Sequence, residues 1–265
     1  MTGLSPSPPP SPLSQTARTG CQEGARRRRR LARRVAAEEL LDLPDHDPAE
    51  LAANLQDIRT VNRLAGGVTT VLRHLPGLLD QIPRNHPAEI LDLATGSGDI
   101  PHAIAAWAAA ADRPLQLTVT DLSPQILAEA RRTLAEIPTV TFVHCDARAL
   151  PFPDGAFDVV LCSLSLHHFA PGEAVQVLRE MDRLSRTGFI LNDIRRCRAG
   201  FVAAWAASRV ATRNRLTRHD MPLSVLRAYT PDELRALLRQ AGIYDASVTR
   251  HPLFRMAAVH RQPAA

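Results

Sequence analysis

A chain of 265 residues is long enough to bury a substantial core as one domain with an added cap. Its 45% hydrophobic and 22% charged residues are ordinary for a globular protein, and no run of eighteen apolar residues offers a membrane span. The net charge of +5 is a property of the tail: residues 1–34 hold eight arginines (Arg18, Arg26, Arg27, Arg28, Arg29, Arg30, Arg33, Arg34) against one acid, Glu23. The remaining chain is slightly acidic, which argues against a phosphate-backbone partner.

Residues 1–25 are rich in Pro, Ser, Thr and Gly and cannot bury enough surface to order themselves, so 1–34 is expected to be a disordered basic tail. It lacks the apolar stretch of a secretory signal. Cys21, Cys145, Cys162 and Cys197 show no C-x-x-C spacing and read as reduced thiols of a cytoplasmic protein, with no metal expected.

A helical pattern begins at Leu31, with Val35 to Leu41 amphipathic and Asp42 to Pro48 breaking it. Asp47 before Pro48 marks a helix start, and Leu51, Leu55, Ile58, Val61 and Leu64 repeat at helical spacing. Gly66-Gly67 ends that helix and Val68 to Leu79 makes another. Residues 35–82 thus form a helical cap, from which Asn62 and Arg63 could reach a ligand.

The domain proper is expected over 83–265. Ile90, Leu91 and Leu93 form a short apolar strand that ends in Thr95-Gly96-Ser97-Gly98, followed by an alanine-rich helix from Ile100. Strand, tight turn and helix make the opening unit of a doubly wound α/β domain. Gly96 and Gly98 let a ligand lie against bare backbone, and Asp92 stands at the strand end, where open sheets bind ligands. Pro101 occupies the position of the third glycine in a dinucleotide fingerprint, which opposes a nicotinamide dehydrogenase.

A second strand, Leu115 to Asp121, ends on an acid at the distance from the glycine turn that suits a ribose contact. Ser123-Pro124 opens the next helix with a serine cap. Strands follow at Val140 to Cys145, ending on Asp146, at Val159 to Cys162, and at Phe189 to Leu191, ending on Asn192-Asp193. A helix runs from Pro171 through Leu184. Residues 199–228 exceed what a plain link needs and are expected to form a lid.

Asp92-Leu93-Ala94-Thr95-Gly96-Ser97-Gly98, then Asp121, Asp146, and Leu150-Pro151-Phe152 through Phe157-Asp158-Val159-Val160, stand in an order that resembles a class I S-adenosylmethionine-dependent methyltransferase. The likeness is greatest to the group containing the ubiquinone/menaquinone methyltransferases and many small-molecule methyltransferases. It covers roughly 86–195, more weakly 230–259, and departs from the family at Ala94, where the turn's first glycine is usual. The resemblance implies a Rossmann-like, seven-stranded, mostly parallel sheet with helices on both faces. A last helix from Thr230 to Gly242 and a closing hairpin over 243–250 and 252–260 complete it.

The resemblance also implies a cofactor, S-adenosylmethionine, and its contacts. Asp92, Ala94, Gly96 and Gly98 would receive its amino-acid part, Asp121 and Leu122 its ribose, Asp146 and Ala147 its adenine, and Ser163 would lie beside it. A phenolic acceptor needs a general base, for which His167, in the His167-His168 pair after strand four, is the first candidate and His219 the second. The expected function is methyl transfer to a small hydrophobic acceptor of phenolic, quinone-like or polyketide type. The alternatives are a nucleic-acid methyltransferase, opposed by Ser163-Leu164-Ser165-Leu166 where an Asn-Pro-Pro-Tyr-like tetrapeptide would stand, and a non-catalytic cofactor-binding protein. The sequence leaves oligomeric state open.

Overall fold

The computed structural model describes residues 33–263, so the expected tail up to Ala32 lies outside the described residues. Seven strands form one sheet in the order β3-β2-β1-β4-β5-β7-β6: β1 Ala88–Leu93, β2 Leu115–Asp121, β3 Val140–His144, β4 Phe157–Ser163, β5 Ser185–Ile194, β6 Ser247–His251 and β7 Arg255–Arg261. Strands β1 to β5 pair in parallel, and β7 runs antiparallel between β5 and β6. This is the Rossmann-like α/β architecture expected. The chain leaves β1 towards β2 and later returns to β4 on its other side, so a crevice opens between the carboxyl ends of β1 and β4.

Eight α-helices flank the sheet among the described residues. They are α1 Pro48–Leu64, α2 Gly67–Leu79, α3 Asp99–Ala110, α4 Pro124–Thr133, α5 Pro171–Leu184, α6 Arg198–Val210, α7 Arg215–Arg227 and α8 Pro231–Ala241. None is long and apolar enough to cross a membrane. The central strands alternate between two cores, as buried parallel strands do. Leu91, Leu93, Val160, Phe189 and Leu191 face Leu178 and Met181 of α5 and Leu234 and Leu237 of α8. Ile90, Leu117, Val159, Leu161 and Ile190 face Val71, Leu75 and Leu78 of α2 and Ile104 of α3. Each fully buried leucine contributes about 2 kcal/mol of apolar burial.

Helix starts follow the side chains the sequence offers. Asp47 accepts from Glu50 N, Ser123 from Ile126 N and Thr230 from Glu233 N, while Glu233 returns a bond to Thr230 N to complete a capping box.

The helix expected over Val35 to Leu41 is not formed. Residues 34–39 are extended or irregular, and only a 3₁₀ turn at Leu40–Asp42 follows. Its backbone donors find tertiary partners instead: Val35 N donates to Leu226 O, and Leu40 N and Leu41 N donate to the two oxygens of Asp220 at 2.8 and 2.9 Å. Tertiary bonding outweighs a modest local propensity. Arg34, counted with the tail by sequence, is seated against the carbonyls of Arg227 and Phe169.

The segment 199–228 forms the α6–α7 hairpin and packs on α1. Asn54 Nδ2 donates to Thr217 Oγ1 at 3.0 Å, Thr212 and Thr217 hydroxyls donate to Asp57, and Arg215 pairs with Glu50.

Candidate cofactor and acceptor site

The glycine turn links β1 to α3 through a run of left-handed residues: Ala94 at φ 49°, Gly96 at 57° and Gly98 at 75°. Ala94 carries there a strain of roughly 1–2 kcal/mol that glycine avoids. A Cβ placed on Gly96 would meet nothing within 4 Å, so that backbone borders open space. On Gly98 it would meet Leu134 Cδ1 at 3.0 Å, so this glycine serves close packing.

Asp121, at the end of β2, ties the turn to the second strand. Its oxygens accept from Gly96 N at 3.1 Å and Ser123 N at 3.0 Å. Burial pushes its carboxyl above the ordinary range against the pull of those backbone donors. Asp92, 2% exposed, is pushed up to about 7, by burial first and then by the charges of Asp99 and Asp121, with Thr95 opposing.

Three buried polar atoms around this crevice have no hydrogen-bond partner: Asp92 Oδ1, Ser163 Oγ at the end of β4 and Asn192 Oδ1 beside it on β5. Buried polar atoms are normally satisfied, so open valences gathered at one cleft mark where a ligand completes the structure. A carboxylate for an ammonium, a carboxylate on the second strand for a diol, and bare backbone between them fit S-adenosylmethionine. Leu122, 60% exposed, offers an apolar face next to Asp121. Ala147 is buried, and Asp146 is gripped by Arg148, whose Nε lies 3.0 Å from both carboxylate oxygens. That guanidinium holds the Asp146 carboxyl below its usual range.

Beyond β4 the chain passes through Leu164, left-handed at φ 56°, into a 3₁₀ turn at Leu166–His168. His167 is 3% exposed; its Nδ1 lies 2.8 Å from Asp193 Oδ1, and its backbone N donates to Asp193 Oδ2 at 3.0 Å. In the tautomer that donates Nδ1–H to Asp193, Nε2 is the electron-pair donor. Arg34 Nη2 and Arg227 Nη2 bind the carbonyls of His167 and His168 and clamp the turn. His168 Nδ1 meets Asp42 Oδ1 at 2.6 Å. Burial lowers the His168 ring's pKa, but the charges of Glu39 and Asp42 prevail and raise it.

His219 stands elsewhere. It is half-exposed on α7 among Arg209, Arg213, Arg215 and Arg218, with Nδ1 on Asp220 at 2.7 Å. Of the two cap residues singled out, Arg63 is exposed. Asn62 is buried, donating to Asp99 Oδ2 at 3.0 Å and accepting from Arg255 Nη2 at 3.4 Å. Arg255 itself is 1% exposed, has an unpartnered Nη1, and is pushed down to about 10 by burial. Sequence reasoning did not single out Arg255 or Glu39. It placed Asn192 and Asp193 at a strand end without giving them a role.

Residues 90–188 match the family described as a methyltransferase domain. A segment of 104 residues is 41% identical to demethylmenaquinone methyltransferase of Thermus thermophilus, covering 37% of this chain and 46% of that protein. A segment of 149 residues is 33% identical to demethylmenaquinone methyltransferase of Beutenbergia cavernae, covering 54% and 57%. The chain thus spans about half the length of the curated relatives it matches. Among solved structures, a SAM dependent methyltransferase from Aquifex aeolicus superposes with a TM-score of 0.54 over 82% of this chain and 99% of that one, at 14% identity, a likeness of fold.

Residues 90–188 match a methyltransferase domain, the fold is that of class I methyltransferases, and the crevice has the donor set that S-adenosylmethionine would need. Within that class, the matched relatives are quinone methyltransferases of the ubiquinone/menaquinone group.

Proposed function

We propose that the protein transfers a methyl group to a small hydrophobic acceptor of phenolic, quinone-like or polyketide type. The observation that carries the reading is the crevice itself. Asp92 and Asp121 flank a glycine turn open at Gly96, and Ser163 Oγ and Asn192 Oδ1, both without hydrogen-bond partners, sit on the neighbouring strands β4 and β5.

When bound, S-adenosylmethionine supplies a methyl group already activated on a sulfonium. The protein's task is then alignment and exclusion of water. Asp92 holds an ammonium, Asp121 a pair of hydroxyls, and the Gly96–Gly98 backbone lets the chain between them lie close. Asp146, Ala147 and Leu122 border the position of the purine. His167 is our candidate to take a proton from an acceptor hydroxyl, because Asp193 orients its ring through Nδ1. His219, half-exposed beside four arginines, suits that role less.

The cap over 35–82 and the lid over 199–228 act as one cover in this reading, since α1 and the α6–α7 hairpin are joined by side-chain bonds. A cover made of two linked segments suits a bulky apolar acceptor. The relatives' names point to quinone precursors, and that substrate class is the first to try.

The test is transfer of labelled methyl from S-adenosylmethionine to a panel of phenols, quinols and β-keto thioesters. Turnover on one of these supports the reading. Transfer only to RNA or protein refutes it, and cofactor binding with no transfer to any acceptor identifies a non-catalytic binder.

A further inference from the structure

Glu39 lies in the irregular arm before α1, yet it is 3% exposed, and its Oε1 makes no hydrogen bond. An ionised carboxylate is costly to bury unless something offsets it. Ser224 Oγ donates to Oε2 at 2.9 Å, and Arg227 Nε stands 3.7 Å from Oε1, too far to bond. The other groups facing the carboxylate are two imidazoles. His167 Nε2 is 3.8 Å from Oε1, and His168 Nε2 is 3.9 Å from Oε2.

Neither separation is a hydrogen bond, but both fit two ligands of one ion. Around a tetrahedral ion with bonds of about 2.0–2.1 Å, neighbouring donor atoms lie about 3.3 Å apart. Small side-chain rotations separate the present geometry from that one. All three donor atoms already lie within 4.8 Å of one another.

The far side of each ring makes the stronger argument. His167 Nδ1 is held by Asp193 at 2.8 Å and His168 Nδ1 by Asp42 at 2.6 Å. A carboxylate on one ring nitrogen fixes the tautomer and leaves the other nitrogen as an electron-pair donor, the arrangement that metal-binding histidines use. Here the carboxylate–imidazole pair occurs twice, and the second nitrogen of each ring lies within 3.9 Å of Glu39, whose Oε1 has no hydrogen bond. Charge agrees in sign: Glu39, Asp42 and Asp193 outnumber Arg34 and Arg227 by one, so a cation meets net negative charge. His168 is partly exposed, which gives an ion a way in.

We propose that Glu39, His167 and His168 bind one divalent transition-metal ion of the Zn2+ type. The donor set, two imidazoles and one carboxylate, suits borderline ions such as Zn2+ and Co2+ rather than Ca2+ or Mg2+. The ion fastens the arm at residues 34–42 to the turn that follows β4, joining segments more than a hundred residues apart. Where the methyl-transfer reading also holds, occupancy removes the His167 Nε2 lone pair from proton abstraction. Transfer to hydroxyl acceptors then falls with the same midpoint as ion binding.

The experiment uses untagged full-length protein, stripped with EDTA and titrated with Zn2+ by calorimetry and with Co2+ by visible absorption. Expected are one ion per chain, Co2+ ligand-field bands, and a melting temperature that rises with Zn2+. Glu39→Gln and His168→Gln should abolish all three, and Asp42→Asn should weaken binding about 10–100-fold. Each variant is checked for unchanged S-adenosylmethionine binding, so a misfolded protein is recognised. Absence of stoichiometric binding by the wild type, or binding that survives in Glu39→Gln with His168→Gln, overturns the proposal. Because binding is read directly, failure of methyl transfer leaves the result intact, and the two readings fail separately.

Discussion

Asp92 offers the sharpest test of the cofactor site, because its ionisation and its task are in conflict. Burial, with Asp99 and Asp121 nearby, pushes its carboxyl up to about 7 in the folded protein, from 3.8. The folded chain therefore binds more protons than the unfolded one between those values. This contribution to stability is full below about pH 4 and is lost as pH rises through about 7. A cofactor ammonium needs the carboxylate, so binding must expel the proton wherever Asp92 carries one. Each pH unit below 7 then costs about 1.4 kcal/mol, or tenfold in affinity. Cofactor affinity should rise about tenfold from pH 6 to 7.5, with release of close to one proton at the acid end. Above about pH 8 the cofactor's own amine deprotonates and the gain reverses. Calorimetry in buffers of different ionisation enthalpy measures both quantities. Asp92→Asn should give weak and nearly flat affinity across the window. A flat wild-type profile, or a slope that persists in Asp92→Asn, would refute the assignment of the ammonium to Asp92.

Gly96→Ala places a methyl group in open space at a left-handed position, so it should cost the fold only about 1 kcal/mol while lowering cofactor affinity more than a hundredfold in calorimetry. Asp193→Asn frees the His167 ring to adopt the wrong tautomer, and kcat for a hydroxyl acceptor should fall about 10²–10⁴-fold with the cofactor Kd unchanged. An equal loss in KM alone would show that Asp193 only shapes the pocket. Thr230→Ala removes the side-chain cap of α8 and should lower stability by about 1 kcal/mol in denaturant melts.

The contrast between what could be read early and what could not has a physical basis. Asp92, Gly96 and Asp121 were legible because strand, turn and strand-end acid lie within one continuous unit of about 35 residues, whose geometry is local. The capped helix starts at Asp47, Ser123 and Thr230 were legible for the same reason. Asp193 followed the same rule as the other strand-end acids, and only its pairing with His167 required the fold. Glu39 is the opposite case. Its surroundings come from α7, from the turn after β4 and from β5, and local pattern alone suggested a helix that the structure does not form. The acceptor side of this domain is assembled from segments distant in sequence, while the cofactor side is written in one stretch. The family match over 90–188 includes the glycine turn and leaves out the arm and the α6–α7 hairpin. If those two segments choose the acceptor, exchanging them between relatives should move substrate preference while leaving cofactor affinity in place.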